Sequence, residues 1–248
     1  MRATKVGVIV AVHNAESTIE ETIASAMRQE IPDHLIDDAI QVLPCHETTS
    51  GRSGPAAEDP SDSNVSASAV QDDSLSCCGR EIQLEVCVCC YNDASTDRSL
   101  EILESLETDR TWVKQCTSGD SRVTATLRTT LVVGTAAPGT SSRGAAHARN
   151  QAVQLLGRDG DRTDFLCILD SDDVMHPSRI AEQTCAMLAL ENKEERRRTL
   201  MGCQFDRIPK DSTQHYTKWA NSLSDERLYL EQFRECTLVR TSHVDACH

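Results

Sequence analysis

Five apolar runs, each closing on a polar turn, leave this chain few folds to choose from. They are Val6 to Val12, Ile82 to Cys90, Thr126 to Gly134 (ending in Leu131-Val132-Val133), Phe165 to Leu169, and Leu200 to Phe205. Short continuous apolar runs read as strands buried on both faces, the condition of strands in a parallel sheet. Apolar residues between them recur at helical spacing: Ile19, Ile23 and Met27; Leu100, Leu103 and Leu106; Ile180, Thr184, Met187 and Leu188. Ser17-Thr18-Ile19-Glu20 has the spacing of a capping box, so the first helix is expected to run from there to about Gln29. Strand and helix alternate. That order predicts an α/β fold with a mostly parallel sheet and helices on both faces.

One stretch breaks the alternation. Residues 37–80 are dominated by Ser, Asp, Thr, Ala, Gly and Pro, too few apolar groups to order themselves. We read one domain over residues 1–239, interrupted by a low-complexity, disordered insertion at 37–80, with 240–248 as an unassigned tail. A net charge of −14 argues against general attraction to nucleic acid or anionic membrane. The 12 cysteines fall inside apolar runs or singly, which suits reduced thiols in a cytoplasmic protein better than a disulfide framework. Cys77-Cys78 with Cys87 and Cys89 lacks the two C-x-x-C pairs of a zinc site. No run of 18 apolar residues would span a membrane.

The chemistry concentrates where strands end. Phe165 to Leu169 runs into Asp170-Ser171-Asp172-Asp173. Carboxylates this close repel unless a cation sits among them, and a divalent metal suits such hard oxygen ligands. The bland alternative is an acidic loop before a helix whose first turn begins near Pro177. Asp93 lies at the end of the second run, ahead of Ser95, Thr96 and Asp97, which could cap the following helix. Arg143 to Asn150 opens a helix with a small face of Ala145, Ala148 and Ala152. Helix starts attract anions, and Arg143 and Arg149 would add fixed charge for a diphosphate; solvated surface arginines are the alternative. Tyr216 and Trp219 could stack on a base or sugar or serve as core aromatics. Neither G-x-G-x-x-G after the first strand, nor G-x-x-x-x-G-K-[ST], nor G-x-S-x-G occurs.

Four motifs then stand in order: Val8 to Asn14, Asn92-Asp93-Ala94-Ser95-Thr96-Asp97, Gly144 to Asn150, and Asp170-Ser171-Asp172. Together they resemble the family 2 glycosyltransferases of the GT-A fold, a Rossmann-like α/β architecture. Leu169 to Pro177, Met201 to Gln204, Pro209 to Thr213 and Tyr216 to Asn221 are further similar to the β-1,3-N-acetylglucosaminyltransferase-like group, understood to act as tRNA-queuosine galactosyltransferases. The resemblance implies a UDP-sugar donor, UDP-galactose or UDP-N-acetylglucosamine, and Mn²⁺ or Mg²⁺ on its diphosphate. It implies that Val12, Asn14, Asp93, Arg149, Asp170 and Ser171 bind the donor, that Asp170 and Asp172 hold the metal, and that Trp219 faces the acceptor. The expected reaction is inverting transfer of a hexose to an acceptor hydroxyl, on queuosine in tRNA or on a glycan.

The family's general base comes from a Glu-Asp motif downstream of the region ending at Asn221. No Glu-Asp pair follows Trp219 in this sequence, and Glu235 and Asp245 lack the expected setting. The catalytic base is therefore unassigned, and the alternative reading is a catalytically incomplete nucleotide-sugar-binding module. The donor sugar, the acceptor and the oligomeric state are not set by the sequence.

Overall fold

The computed structural model describes residues 3–41, 80–118, 121–157, 163–190, 192–209 and 212–231. The elements are β1 (Thr4–Val12), α1 (Ile19–Met27), α2 (Asp33–Gln41), β2 (Arg80–Asn92), α3 (Ser99–Ser105), β3 (Asp109–Ser118), β4 (Ser121–Thr135), α4 (Ala145–Leu156), β5 (Phe165–Asp170), α5 (Arg179–Ala189), α6 (Lys193–Arg198), α7 (Gln214–Asn221) and α8 (Asp225–Glu231). The strands form one sheet in the order β3-β4-β2-β1-β5. β1 pairs in parallel with β2 and β5, and β2 pairs in parallel with β4. Only β3 runs antiparallel, against β4. The expected mostly parallel α/β architecture is the one observed.

Each strand of the sheet's centre has two apolar faces because each face meets helices. Val6, Val8, Val10 and Val12 belong to a core shared with Ile19, Ile23, Ala26 and Met27 of α1, Leu103 of α3 and Ile180 of α5. The alternate residue Ile9 belongs to a second core with Cys89 of β2 and Ala152 and Leu155 of α4. Side chains alternate across a strand, so a run apolar at every position is what a helix on both sides requires. Gly7 lets α4 come close: a Cβ there would lie 2.4 Å from Leu156 Cδ1.

The connections fix where a ligand could sit. β1 leads through α1 toward β2 on one face, and β4 then returns through α4 on the other face to β5, on the far side of β1. The winding therefore reverses at β1/β5. In open parallel sheets such a reversal opens a crevice outside the carboxyl ends of the strands.

Several expectations need correction. The strand expected at Leu200 to Phe205 is absent; that segment has no regular structure. Asn221 of α7 instead satisfies Phe205, donating to its O at 2.8 Å and accepting from its N at 3.1 Å. The strand β3 was not anticipated. It has no continuous apolar run, because an edge strand with one open face alternates instead: Trp112 and Cys116 are half-buried while Val113 is 55% exposed. Helix α2 extends to Gln41, into the start of the expected insertion, and β2 already begins at Arg80. Residues 42–79, with Cys77-Cys78, lie outside the described residues, as does the 232–248 segment that contains Glu235, Asp245 and the tail.

Helix details also differ. The capping box does not form: Thr18 is the cap residue but makes no side-chain cap bond, its hydroxyl being used elsewhere, and α1 ends at Met27, short of Gln29. Helix α5 starts at Arg179, two residues after Pro177. Ala145 is exposed while Ala148 and Ala152 are buried, and Leu188 is 46% exposed because α5 leaves the core after Thr184.

Ile9 is the test of the two-faced sheet. Ile9→Ala removes a fully buried side chain from the layer under α4 and is expected to lower unfolding stability by about 3 kcal/mol. Urea denaturation measures it; a loss below about 1 kcal/mol would contradict close packing of α4 on β1.

Candidate functional site

The carboxyl ends of the central strands lie in a row. Val12 pairs with Asn92, Asn92 with Thr135, and Ala11 with Asp170. Asp93 and Asp170 thus stand on either side of β1, two strand spacings or about 10 Å apart.

Two loops interlock at one end of this row. The backbone N–H of Asp93 donates to Val12 O at 2.8 Å. His13 Nδ1 donates to Asp93 O at 2.8 Å, which leaves Nε2 to accept from Asn14 Nδ2 at 3.3 Å. Asn14 sits at φ 50°, a conformation Asn tolerates better than most residues. From there its Oδ1 accepts from Thr96 N at 2.8 Å and its N–H donates to Ser95 Oγ at 3.0 Å. Asp97 accepts from Glu16 N at 3.0 Å through one oxygen and from the Ser99 hydroxyl at 2.6 Å through the other. The Ser95-Thr96-Asp97 segment therefore does more than start α3; it clasps the loop after β1.

Asp93 itself is 1% exposed. Its Oδ2 accepts three hydrogen bonds, from Ser142 Oγ at 2.8 Å and from the N–H groups of Arg143 and Gly144 at 2.7 Å each. Gly144, at φ 90°, turns the chain into α4 so that both N–H groups point at the carboxylate. Burial would push the Asp93 carboxyl up, but these three bonds, helped by His147, hold it below the usual carboxylate range. Its Oδ1 is buried and has no hydrogen-bond partner among the described residues. A buried acceptor of this kind calls for a donor. Arg143 serves through its backbone, with an exposed side chain.

At the other end, Arg149 of α4 reaches over to β5. Its Nη2 donates to Asp170 Oδ1 at 2.6 Å, and its Nε is buried without a partner among the described residues. The acidic turn follows, closed by Asp173 N donating to Asp170 O at 3.2 Å. Asp172 is exposed. Burial first, then the charges of Asp172 and Asp170, push the Asp173 carboxyl up to about 6, against Arg179 and Arg207. Ser171 contributes its carbonyl, which accepts from the hydroxyls of Thr18 at 2.9 Å and Thr22 at 3.0 Å.

Among the described residues no group of three or more His, Cys, Asp or Glu side chains could hold a metal ion by itself. Asp170 and Asp172 remain, the first already bonded to Arg149. Two carboxylates suit an ion that keeps water and takes its other ligands from substrate phosphates. Burial is the main cause of the raised Asp173, and the repulsion from Asp172 and Asp170 that adds to it is what such an ion would relieve.

Trp219 lies apart from the row, on α7. Its ring is tilted on Tyr216 at 5.7 Å, and Tyr216 is tilted on Phe205 at 6.2 Å. Arg207 lies over the Phe205 and Tyr216 rings, at 5.5 and 6.0 Å from their centroids. Beside these rings runs an open groove of 420 Å³, lined by Asp206, Arg207, Gln214, Thr217, Lys218, Asn221 and Ser222.

Sequence reasoning placed Val12, Asn14, Asp93, Arg149, Asp170, Ser171 and Asp172 at one edge of the sheet, and they are brought together there. It missed Ser142 and the N–H groups of Arg143 and Gly144 as partners of Asp93, because backbone donors leave no mark in a sequence. It also missed Thr18 and Thr22, whose four-residue spacing on one helix face was the available signal.

No family model matches the chain. Among solved structures it is similar to S. aureus TarS 1–349 in complex with UDP, at 18% identity over 75% of this chain and 32% of that chain, with a TM-score of 0.37. TarS 1–349 on its own gives 19% identity with the same coverage and TM-score. S. aureus TarS matches at 18% identity over 75% of this chain and 20% of that chain, also at 0.37. The chain thus spans a third or less of the length of these proteins. Likeness at this level carries no conclusion about function. No helix among the described residues is long and apolar enough to cross a membrane.

Two carboxylates give opposite pH signatures. The folded pKa of Asp93 is depressed, so its contribution is complete above the unfolded value of about 4 and is lost as pH falls through the folded pKa. Asp93→Asn should flatten the acid side of the stability curve while lowering stability at pH 7. The folded pKa of Asp173 is raised, to about 6, so stability falls as pH rises from about 4. Asp173→Asn, melted in chelator, should raise Tm at pH 7 and leave it unchanged at pH 4. Equal shifts at both pH values would refute the raised pKa of Asp173.

Proposed function

We propose that this chain carries the donor half of a family 2, GT-A glycosyltransferase that moves a hexose from a UDP-sugar to an acceptor hydroxyl with inversion. The observation that carries this reading is the pairing of a buried, unpartnered acceptor, Asp93 Oδ1, with the Arg149–Asp170 pair across β1. A nucleotide laid along the strand ends would meet both. Asp93 Oδ1 accepts the uracil N–H. Asn14 and Val12 shape the floor under the base, since the Val12 carbonyl and the Asn14 side chain hold the Asp93 loop in place. Arg149 and Asp170 lie against the ribose and diphosphate.

Asp170 and Asp172, with the Ser171 backbone between them, would hold Mn²⁺ or Mg²⁺. A bound divalent ion supplies charge that offsets the negative charge developing on departing UDP. The acceptor oxygen attacks the anomeric carbon from the face opposite the diphosphate. The carboxylate that takes its proton is assigned to no described residue. Trp219 and the polar groove beside Tyr216 lie on the acceptor side in this reading, because Arg207, which lines that groove, also bears on Asp173.

The donor sugar is UDP-galactose or UDP-N-acetylglucosamine, and queuosine in tRNA or a glycan hydroxyl is the acceptor. A chain of net charge −14 lacks the broad cationic surface that supplies most affinity for tRNA, so a tRNA acceptor would rely on contacts local to the groove. Calorimetric titration of the full chain with UDP, with and without Mn²⁺, tests the donor site. Metal-dependent UDP binding is expected, weakened about tenfold or more, 1.4 kcal/mol, by Asp172→Ala. Absence of UDP binding would remove the donor assignment, and wild-type affinity in Asp172→Ala would remove the metal. UDP binding without transfer from either sugar nucleotide to tRNA or glycan would favour the binding-module alternative.

A further inference from the structure

The acidic turn carries three carboxylates, yet most of what holds its backbone is uncharged. Ser171 O, between Asp170 and Asp172, accepts from Thr18 Oγ1 at 2.9 Å and Thr22 Oγ1 at 3.0 Å, which fills both lone pairs of that carbonyl. Farther along, Met175 N donates to Ser25 Oγ at 2.9 Å. Gln29 Nε2 donates to His176 O at 2.9 Å, and Gln29 Oε1 accepts from Ile180 N at 3.1 Å. Thr18, Thr22, Ser25 and Gln29 recur at the spacing of one helix face. Through them the first helix is fastened along the whole loop from Ser171 to Ile180.

The apolar stripe of α1 (Ile19, Ile23, Ala26 and Met27) already secures the helix to the sheet. The polar stripe has a different consequence. Asp170, Asp172 and Asp173 put three carboxylates within four residues, and like charges this close repel one another. Rotation of the Ser171–Asp172 peptide would break both hydroxyl bonds to the Ser171 carbonyl. Two hydroxyls on the Ser171 carbonyl oppose that rotation and add no positive charge, so the turn keeps its attraction for a cation.

We propose that Thr18 and Thr22 are positioning residues that hold the Asp170–Asp172 turn ready for a metal–nucleotide ligand. The proposal rests on the donor-site reading above. Outer hydrogen bonds that orient a metal-binding carboxylate are commonly worth tenfold or more in affinity.

The test is the double variant Thr18→Val/Thr22→Val of the full chain, which keeps the side-chain shape and removes both hydroxyls, beside Thr18→Ser/Thr22→Ser, which keeps them. Two quantities are measured: UDP affinity with Mn²⁺ and with chelator, and amide hydrogen exchange at Asp172 and Asp173. The valine variant should lose about tenfold of the Mn²⁺-dependent affinity, leave the chelator value unchanged, and exchange faster at those two amides while the strands of the sheet stay protected. The serine variant should restore all three. Wild-type affinity and exchange in the valine variant would overturn the proposal, as would an equal loss of affinity in chelator or faster exchange throughout the sheet, which mark a general loss of structure. If the wild type binds no UDP, the donor-site reading fails by itself; exchange at Asp172 and Asp173 in the valine variant then decides whether the hydroxyls hold the turn.

Discussion

β1 is hydrogen-bonded in parallel on both sides and covered by helices on both faces, and the remaining architecture is arranged to satisfy that strand. Its even-numbered valines need α1 and α3, and its Ile9 needs α4. Helices on opposite faces require the chain to wind one way from β1 to β2 and β4 and then return to β5. That return creates the reversal beside β1, and the reversal puts Asp93 and Asp170 across one crevice. The location of the site is thus a consequence of how a two-sided apolar strand is buried.

Negative charge at the crevice is handled in three ways, and the differences matter chemically. Asp93 is neutralised by dipoles, one hydroxyl and two backbone N–H groups on a single oxygen, which leaves its second oxygen open. Asp170 is met by a full charge, Arg149. Asp172 and Asp173 repel each other, offset at Asp173 by the charges of Arg179 and Arg207, and the backbone of their turn is fastened by Thr18 and Thr22.

Much of the fold was legible in the residues because three of the five apolar runs are interior strands of the sheet, where continuous hydrophobicity reports burial on both faces; the fourth, β5, lies at the sheet edge and leaves Leu166 54% exposed. Leu200 to Phe205 shows the limit of that rule. The run is apolar, but Leu200 is 77% exposed and Asn221 satisfies the Phe205 backbone, so the segment needs no strand partner. Strand β3 shows the converse, since an edge strand with one open face carries polar residues at alternate positions and has no run to detect. The capping-box spacing at Ser17 to Glu20 misled because α1 is capped one residue later, at Thr18, whose hydroxyl bonds Ser171, 153 positions away.

The sequence alone determined the strand–helix alternation and which carboxylates stand at the carboxyl ends of the strands. These follow from hydrophobic periodicity and from the kinds of residues at strand ends, which are local properties. Only the tertiary structure decided that Asp93 closes the Ser142–Gly144 loop with one oxygen and leaves the other unpartnered, that Arg149 is committed to Asp170, and that one polar face of α1 fastens the acidic turn. Those outcomes depend on backbone donors and on hydroxyls far away in the chain, which become neighbours only when the sheet and its two helical layers have formed.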